Sequence, residues 1–193
     1  MENVLTLLVI APLAYLAGSV NFSIVLFRLL GRDDPRTRFS TNPGVTNVYR
    51  QAGRLWALLV LLLDLGRASA LACISLRLLP PAFLPWCALF LLLGNMYPLF
   101  HGFKGGKGVA NYLGFTLVPA PWFAAAAAAV WLLIFKITRQ PFFGSFGMIA
   151  ALSVGLAWRA GFDILSVLGA LVNTGLIVYA HRGNLEDLFS KTR

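Results

Sequence analysis

The stretch Leu55–Leu63, which reads LWALLVLLL, contains no charged residue. A second stretch, Ala120–Phe135, is also free of charge. The whole chain of 193 residues is 59% hydrophobic and 12% charged, and its mean hydropathy is +0.77. A soluble domain carries roughly 25% charged residues, so this composition predicts an all-α membrane protein. We expect residues 1–193 to form a single polytopic domain.

Seven apolar segments, separated by turn formers or charged residues, predict seven transmembrane helices. The fourth is short, and it could span only if its proline-rich end were buried in protein. An amphipathic tail that includes Lys191 and Arg193 follows the last segment. The approximate bounds of the seven are Val4–Leu30, Leu55–Leu79, Trp86–Phe100, Val109–Val118, Trp122–Ile137, Phe142–Trp158 and Ile164–Ala180.

The net charge of +9 is distributed unevenly along the chain. Seven crossings place loops 31–54, 101–108 and 136–141 and the C-terminus on one side, and these segments hold most of the lysines and arginines. The other side keeps little beyond Arg77 and Arg159. The positive-inside rule then predicts an outside N-terminus, with the C-terminus and the basic loops in the cytoplasm. The charge excess therefore indicates membrane topology and not a nucleic-acid partner.

A turn rich in glycine and lysine, Phe103–Gly108 (FKGGKG), precedes an apolar run. Glycine lets backbone amides approach a ligand closely, and a following helix adds its positive end. Lysine supplies a point charge that suits phosphate. We call this segment the glycine-lysine turn, and the alternative is a short cytoplasmic turn whose lysines only mark topology. The predicted phosphate-binding residues here are Lys104, Gly105, Gly106, Lys107 and Gly108.

The longest polar stretch, residues 31–54, contains the segment Ser40–Arg50 (STNPGVTNVYR). Its hydroxyl, amide and guanidinium groups can hydrogen-bond phosphate oxygens from several sides. The alternative is a solvated basic loop with no ligand. The predicted binding residues are Ser40, Asn42, Thr46, Asn47 and Arg50.

Two polar clusters lie inside apolar segments. Gly18–Asn21 is expected to serve helix packing, because small residues permit close approach and asparagine can bond across to another helix; direct ligand binding is the alternative. Asp64 and Arg67 share a helix face and are expected to satisfy each other, with a role in holding the loops as the alternative.

The polar loops, together with His181 and Asn184, offer cations and neutral hydrogen-bonding groups but hardly any carboxylate. That set argues against a metal site built on acidic ligands and against a two-carboxylate hydrolase. It suits substrates that carry phosphate at a lipid boundary, where positioning and charge stabilisation would be the main catalytic effects.

Four motifs together resemble the bacterial acyl-phosphate-dependent glycerol-3-phosphate acyltransferases. The resemblance implies a seven-span inner-membrane enzyme that transfers an acyl group from acyl phosphate to the first hydroxyl of glycerol 3-phosphate. The products would be lysophosphatidic acid and phosphate, and neither a cofactor, a metal, coenzyme A nor acyl carrier protein would take part. The motifs are Gly18-Ser19-Val20-Asn21, Asn42-Pro43-Gly44-x-Thr46-Asn47-x-x-Arg50, Phe103-Lys104-Gly105-Gly106-Lys107-Gly108-Val109-Ala110 and His181-Arg182-x-Asn184.

The same resemblance implies roles for individual residues. It makes Ser40, Arg50, Lys107, His181 and Asn184 catalytic, and it matches Ser145 to a serine that begins the sixth span. The chain departs from the usual family pattern at Thr41, Arg67, Asn95 and Gly183.

Two other functions stay open from the sequence. An organic-phosphate transporter also has basic loops and broken spans, although it would show internal repeats and polar groups near mid-membrane. A family member that has lost catalysis and binds lipid or protein is the other alternative.

Overall fold

The computed structural model describes residues 1–190, which form ten α-helices and three short 3-10 turns. This part of the chain contains no β-strand, so the predicted all-α class is confirmed. Lys191 and Arg193 of the predicted tail lie outside the described residues. The helices are α1 Glu2–Ser19, α2 Phe22–Leu29, α3 Val45–Ala52, α4 Arg54–Leu78, α5 Leu84–Met96, α6 Val109–Leu117, α7 Pro121–Thr138, α8 Pro141–Arg159, α9 Ile164–Ala180 and α10 Arg182–Ser190.

The first apolar segment is two helices and not one, because Val20 and Asn21 adopt extended backbone angles. The side-chain oxygen of Asn21 accepts a hydrogen bond from the Ile24 amide at 3.1 Å and so caps α2. Its side-chain nitrogen donates to the Pro43 carbonyl at 3.3 Å. Asn21 therefore fastens the polar loop to the break in the first span.

Helices α1 and α5 cross with their backbones in contact. A Cβ added to Gly18 would lie 2.2 Å from the carbonyl oxygen of Leu91. One added to Gly94 would lie 2.0 Å from the carbonyl oxygen of Tyr15. The prediction that the Gly18–Asn21 cluster serves helix packing is confirmed.

Within residues 1–190, five helical stretches are long and apolar enough to cross a membrane, and the bent pair α9–α10, which meets at 47°, would make a sixth. Helix α6 has nine residues and rises only about 14 Å, against roughly 30 Å of hydrocarbon. Seven crossings therefore stay a prediction. The five stretches are Glu2–Leu29, Arg54–Leu78, Pro81–His101, Pro121–Thr138 and Pro141–Arg159.

Asp64 and Arg67 satisfy each other, as the sequence predicts. Their side chains form an ion pair of 2.8 Å on α4, and both are largely buried. Arg67 also donates to the carbonyls of Ala17, at 3.0 Å, and Val20. These carbonyls lie at the break in the first span, where regular helical bonding stops, so the arginine supplies donors that the helix lacks.

The polar stretch between the first two spans contains α3, a helix that the sequence reasoning did not predict. Its inner face includes Val48, which is fully buried and packs with Phe27 and Ala57. Its outer face leaves Thr46 and Arg50 exposed. The helix is therefore amphipathic, and burial of one face holds the other in place.

Arg36 ties this polar stretch to the glycine-lysine turn. Its guanidinium donates to the carbonyls of His101, at 2.7 Å, and Lys104, at 2.9 Å. It also forms an ion pair of 2.6 Å with Asp34 and, by that hydrogen-bonded contact, holds the pKa of the Asp34 carboxyl below its usual range. The two basic segments are thus brought together on one side of the helices.

Candidate active site

A cavity of about 420 Å³ lies where α3, the glycine-lysine turn, α8 and the end of α9 meet. Eleven of the thirteen residues predicted to bind or activate substrate line it, including all five predicted catalytic residues. These eleven come from four separate segments of the chain. They are Ser40, Asn42, Thr46, Asn47, Arg50, Gly106, Lys107, Gly108, Ser145, His181 and Asn184.

The structure does not bring Lys104 and Gly105 to the cavity. Lys104 is exposed, and its carbonyl accepts a hydrogen bond from Arg36. A Cβ on Gly105 would lie 2.0 Å from the carbonyl oxygen of Asn95. Gly105 therefore lets the turn fold closely onto the end of α5, and it does not face a ligand.

The amides of Gly105 and Gly106 are not free for phosphate, contrary to the expected cradle. They donate to the carbonyls of Met96, at 3.1 Å, and Asn95, at 2.9 Å. The first amides of α6 are available instead, because Val109 and Ala110 line the cavity and first-turn amides have no acceptor inside their own helix. The positive end of the α6 dipole adds to the attraction for an anion.

Lys107 joins the glycine-lysine turn to α10. Its ammonium donates to the side-chain oxygen of Asn184. Burial lowers the pKa of Lys107 to about 8, and the nearby Asp187 carboxylate acts in the opposite direction. The Lys107 side chain in the cavity wall therefore changes its charge within about one pH unit of neutrality.

His181 is 3% exposed and held in one orientation. Its Nδ1 lies 2.8 Å from the Ile177 carbonyl, and Nδ1 is the donor because a carbonyl can only accept. The ring also packs edge-on against Phe146, with 5.4 Å between ring centroids. In the neutral imidazole the lone pair then lies on Nε2, which suits a proton acceptor.

Ser40 lies between two residues with strained backbones. Phe39 has φ 55° and Thr41 has φ 53°, and neither is glycine. A non-glycine residue in this left-handed region costs of order 1–3 kcal/mol, and such strain is concentrated at functional sites. The surrounding loop therefore holds Phe39 and Thr41 in unfavourable backbone conformations, and these fix the position of Ser40 between them.

The α3 side of the cavity combines one residue that shapes the loop with one exposed cation. The buried side-chain nitrogen of Asn47 donates to the carbonyls of Pro35, at 2.8 Å, and Arg38, at 3.3 Å, so it shapes the loop. Arg50 is exposed on α3 and lines the cavity. Its guanidinium fork is suited to bidentate contact with phosphate.

The rest of the lining is mostly apolar and comes from α4, α6, α7 and α8. Leu132 is 62% exposed on the outer surface of α7 and also lines the cavity. The cavity therefore opens between the helices onto the outer surface of α7. The Ser145 hydroxyl donates to the Pro141 carbonyl at 3.1 Å. The apolar lining includes Leu61, Leu113, Trp131, Leu132, Phe142 and Met148.

The cavity has an excess of positive charge. Arg50 and Lys107 line it, whereas the one carboxylate in the lining of the described chain, Asp64, is already paired with Arg67. A site that joins cations and an apolar wall suits a ligand with a phosphate group and a hydrocarbon chain.

Known proteins share this sequence and this fold. The family model described as glycerol-3-phosphate acyltransferase matches residues 8–191. The chain belongs to this family. A glycerol-3-phosphate acyltransferase of Pseudomonas aeruginosa strain PAO1 is 40% identical over 185 residues, which cover 94% of this chain and 95% of that protein. One from Methylobacillus flagellatus is 39% identical over 178 residues, which cover 91% and 89%.

Solved structures of a glycerol-3-phosphate acyltransferase have the same fold. The crystal structure of PlsY (YgiH), an integral membrane glycerol 3-phosphate acyltransferase, in its glycerol 3-phosphate form superimposes with a TM-score of 0.88 at 34% identity. Its lysophosphatidic acid form gives 0.86, also at 34% identity. Both comparisons cover 96% of this chain and 93% of the other. The chain is therefore an integral, multi-pass membrane protein of the glycerol-3-phosphate acyltransferase family.

Three carboxylate or amide side chains that line the cavity of this family member were not predicted as site residues. They are Asp64, Asn95 and Asn111. Asn111 is a lone amide in the apolar run Val109–Val118, and a polar residue in such a run is a signal for a buried contact. That signal was available in the sequence, but the partner of Asn111 was not.

Proposed function

We propose that this protein transfers an acyl group from acyl phosphate to the first hydroxyl of glycerol 3-phosphate. The products are lysophosphatidic acid and inorganic phosphate. The observation that carries the proposal is the cavity itself, in which Arg50, Lys107 and the first amides of α6 share one space with an apolar wall. A phosphate-bearing acceptor and a long-chain donor need both kinds of surface.

The relatives support this proposal. The related crystal structures are a glycerol 3-phosphate form and a lysophosphatidic acid form, so that protein binds both the proposed acceptor and the proposed product. The acyl phosphate donor is inferred from the motif resemblance. The proposal involves no cofactor, metal, coenzyme A or acyl carrier protein.

The proposed mechanism depends on positioning and charge. Arg50, Lys107 and Asn184 hold the phosphate of glycerol 3-phosphate. The acceptor hydroxyl attacks the carbonyl carbon of the mixed anhydride, the new ester bond forms, and the bond to phosphate breaks. Phosphate is a good leaving group, so a strong base is not required. The Nε2 of His181 or a substrate phosphate oxygen takes the hydroxyl proton.

The donor phosphate is assigned to the other side of the cavity. Ser40, Asn42 and Thr46 supply neutral hydrogen bonds there, and the amides of Val109 and Ala110 supply the positive end of α6. These groups stabilise negative charge as it builds up on the leaving phosphate. The acyl chain lies against the apolar wall, with its end near the sideways opening at Leu132.

The proposed membrane arrangement follows from the charge distribution. Residues 1–193 form one acyltransferase domain in the bacterial inner membrane, with seven crossings, an outside N-terminus and a cytoplasmic C-terminus. Helix α6, together with the proline-rich segment that follows it, makes the shortest crossing. The cavity then faces the cytoplasm, the compartment of a water-soluble acceptor.

Product analysis tests the function directly. Purified protein is incubated with acyl phosphate and glycerol 3-phosphate, and we expect lysophosphatidic acid and phosphate in equal amounts. Acyl coenzyme A in place of acyl phosphate is expected to give no product. Uptake of glycerol 3-phosphate into proteoliposomes without any product would instead show a transporter, and binding without turnover would show a non-catalytic relative.

The pKa of Lys107 predicts a pH dependence. We expect kcat/KM for glycerol 3-phosphate to fall about tenfold per pH unit above the pKa of about 8, because the lysine is charged below that value and neutral above it. A pH profile between about pH 6 and pH 10 measures this limb. In Lys107→Arg the guanidinium stays charged, so the limb should disappear. A wild-type profile that stays flat to about pH 10 would contradict the assignment.

A further inference from the structure

A chain of buried hydrogen bonds connects the break in the first span to the glycine-lysine turn. It starts at Arg67, whose guanidinium donates to Asp64 at 2.8 Å and to the side-chain oxygen of Asn111 at 2.6 Å. The side-chain nitrogen of Asn111 donates to the side-chain oxygen of Asn95 at 3.1 Å. Asn95 and Asn111 are 4% and 1% exposed, so water does not compete for these bonds.

The chain ends at Gly106, the residue before Lys107. The backbone carbonyl of Asn95 accepts from the Gly106 amide at 2.9 Å. A Cβ on Gly106 would lie 3.0 Å from the side-chain nitrogen of Asn95, so the asparagine contacts this glycine with both its backbone and its side chain. The position of the turn, and with it that of Lys107, therefore depends on Asn95.

Asn111 also controls the other side of the turn. It is the third residue of α6, whose first two residues also line the cavity. Its bond to Asn95 fixes the start of α6 against the end of α5. One amide side chain thus sets the distance between Lys107 and the amides that we assign to the donor phosphate.

We infer that Asn111, linked to Asn95 and Arg67, is a positioning residue that fixes the glycine-lysine turn for acyl transfer. The inference rests on the proposed function, in which Lys107 binds the phosphate of glycerol 3-phosphate. Asn111 is not assigned contact with the reacting atoms: its side-chain oxygen and nitrogen are committed to Arg67 and Asn95. A misplacement of about 1 Å far from the chemistry can reduce a rate about 100-fold, which is the size of effect that such a residue controls.

The surroundings of Lys107 provide a readout that general destabilisation would not move. The charged or titratable groups that face it are Asp187 on α10 and His181 at the end of α9, and Asn184 accepts its hydrogen bond. Burial lowers the Lys107 pKa from 10.5 to about 8. A turn that comes loose from Asn95 exposes the ammonium to water, so its pKa rises toward 10.5.

Two variants break the chain without changing the charge near Lys107. Asn111→Leu removes both amide bonds at similar size, and Arg67→Lys keeps the charge but loses the fork that reaches several acceptors at once. For both we expect kcat/KM to fall about 10- to 100-fold. We also expect the alkaline limb of the pH profile to move upward by about one pH unit or more, because Lys107 becomes solvated.

Ser69→Ala is the matched control. The Ser69 hydroxyl donates to the Gly114 carbonyl at 2.8 Å and so joins the same two helices, α4 and α6, away from the turn. This variant should keep the limb near pH 8 and kcat/KM within about threefold of wild type.

The proposal is overturned if both network variants keep the limb at pH 8 and match Ser69→Ala in kcat/KM. If Asn111→Leu does not fold, Arg67→Lys carries the same two outcomes. Failure of both to fold would assign the network to stability alone and also overturn it.

Binding of glycerol 3-phosphate, followed by calorimetry against pH, separates this inference from the proposed function. A wild-type protein that binds but transfers nothing would defeat the proposed function. The shift of the binding limb in the network variants would still test the positioning role.

Discussion

Lys107→Ala is expected to reduce kcat/KM for glycerol 3-phosphate about 100- to 1,000-fold, the loss typical when one charge-stabilising donor is removed from an active site. Lys107 is the half-buried cation of the cavity wall and donates to Asn184. Alanine removes both the charge and that contact. Steady-state transfer assays on purified protein measure the effect, and a circular dichroism spectrum checks that the variant is folded.

Lys104→Ala is the matched control for this experiment. It lies three residues earlier in the same turn, but it is exposed and does not line the cavity. We expect its kcat/KM to stay within about threefold of wild type, as for most surface substitutions. Equal losses in the two variants would mean that the turn binds phosphate as the sequence suggested and not as the structure places it.

Gly94→Ala is expected to cause a large loss of stability. The added Cβ would lie 2.0 Å from the Tyr15 carbonyl oxygen, which is backbone and cannot rotate away. Helices α1 and α5 must then separate. Overpacking costs about 1–3 kcal/mol and more where the neighbours cannot yield, so we expect the thermal midpoint in detergent to fall by roughly 6–12 °C.

Gly66→Ala makes the same chemical change where space is open. Gly66 lies within α4, and a Cβ there would meet nothing within 4 Å. Alanine in a helix is favoured over glycine by about 0.5–1 kcal/mol, so the midpoint should stay level or rise slightly. A fall of similar size in both variants would contradict the close crossing of α1 and α5.

The class and the site composition could be predicted from sequence because they depend on local signals. Apolar runs such as Leu55–Leu63 predict membrane helices directly. The motifs around Ser40, Lys107 and His181 predict a phosphate site because their groups suit phosphate, and the structure places these residues around one cavity. The sequence could predict that these residues meet, because the positive-inside rule places all the basic loops on the same side of the membrane.

The features that were missed depend on partners far away in the chain. The break at Val20–Asn21 lies well beyond Pro12, the only proline of its apolar run, and it is stabilised by Arg67 and Pro43. The amides of Gly105 and Gly106 donate hydrogen bonds to backbone carbonyls at the end of α5, and the sequence motif does not indicate these bonds. Long-range hydrogen bonds of this kind leave no periodic pattern in the sequence.

Helix α3 was missed for a local reason. It has eight residues, Val45–Ala52, too few for a clear helical period among the glycine, proline and asparagine that precede it. Tertiary burial of Val48 stabilises it, which a sequence reading cannot anticipate.

The break in the first span has a consequence for how the protein enters the bilayer during synthesis. Free carbonyls and a lone guanidinium are each unfavourable in hydrocarbon when they have no partner. Here Arg67 of the second span supplies the donors for Ala17 and Val20 of the first. We therefore expect the two spans to insert at lower free energy as a preassembled hairpin than one after the other.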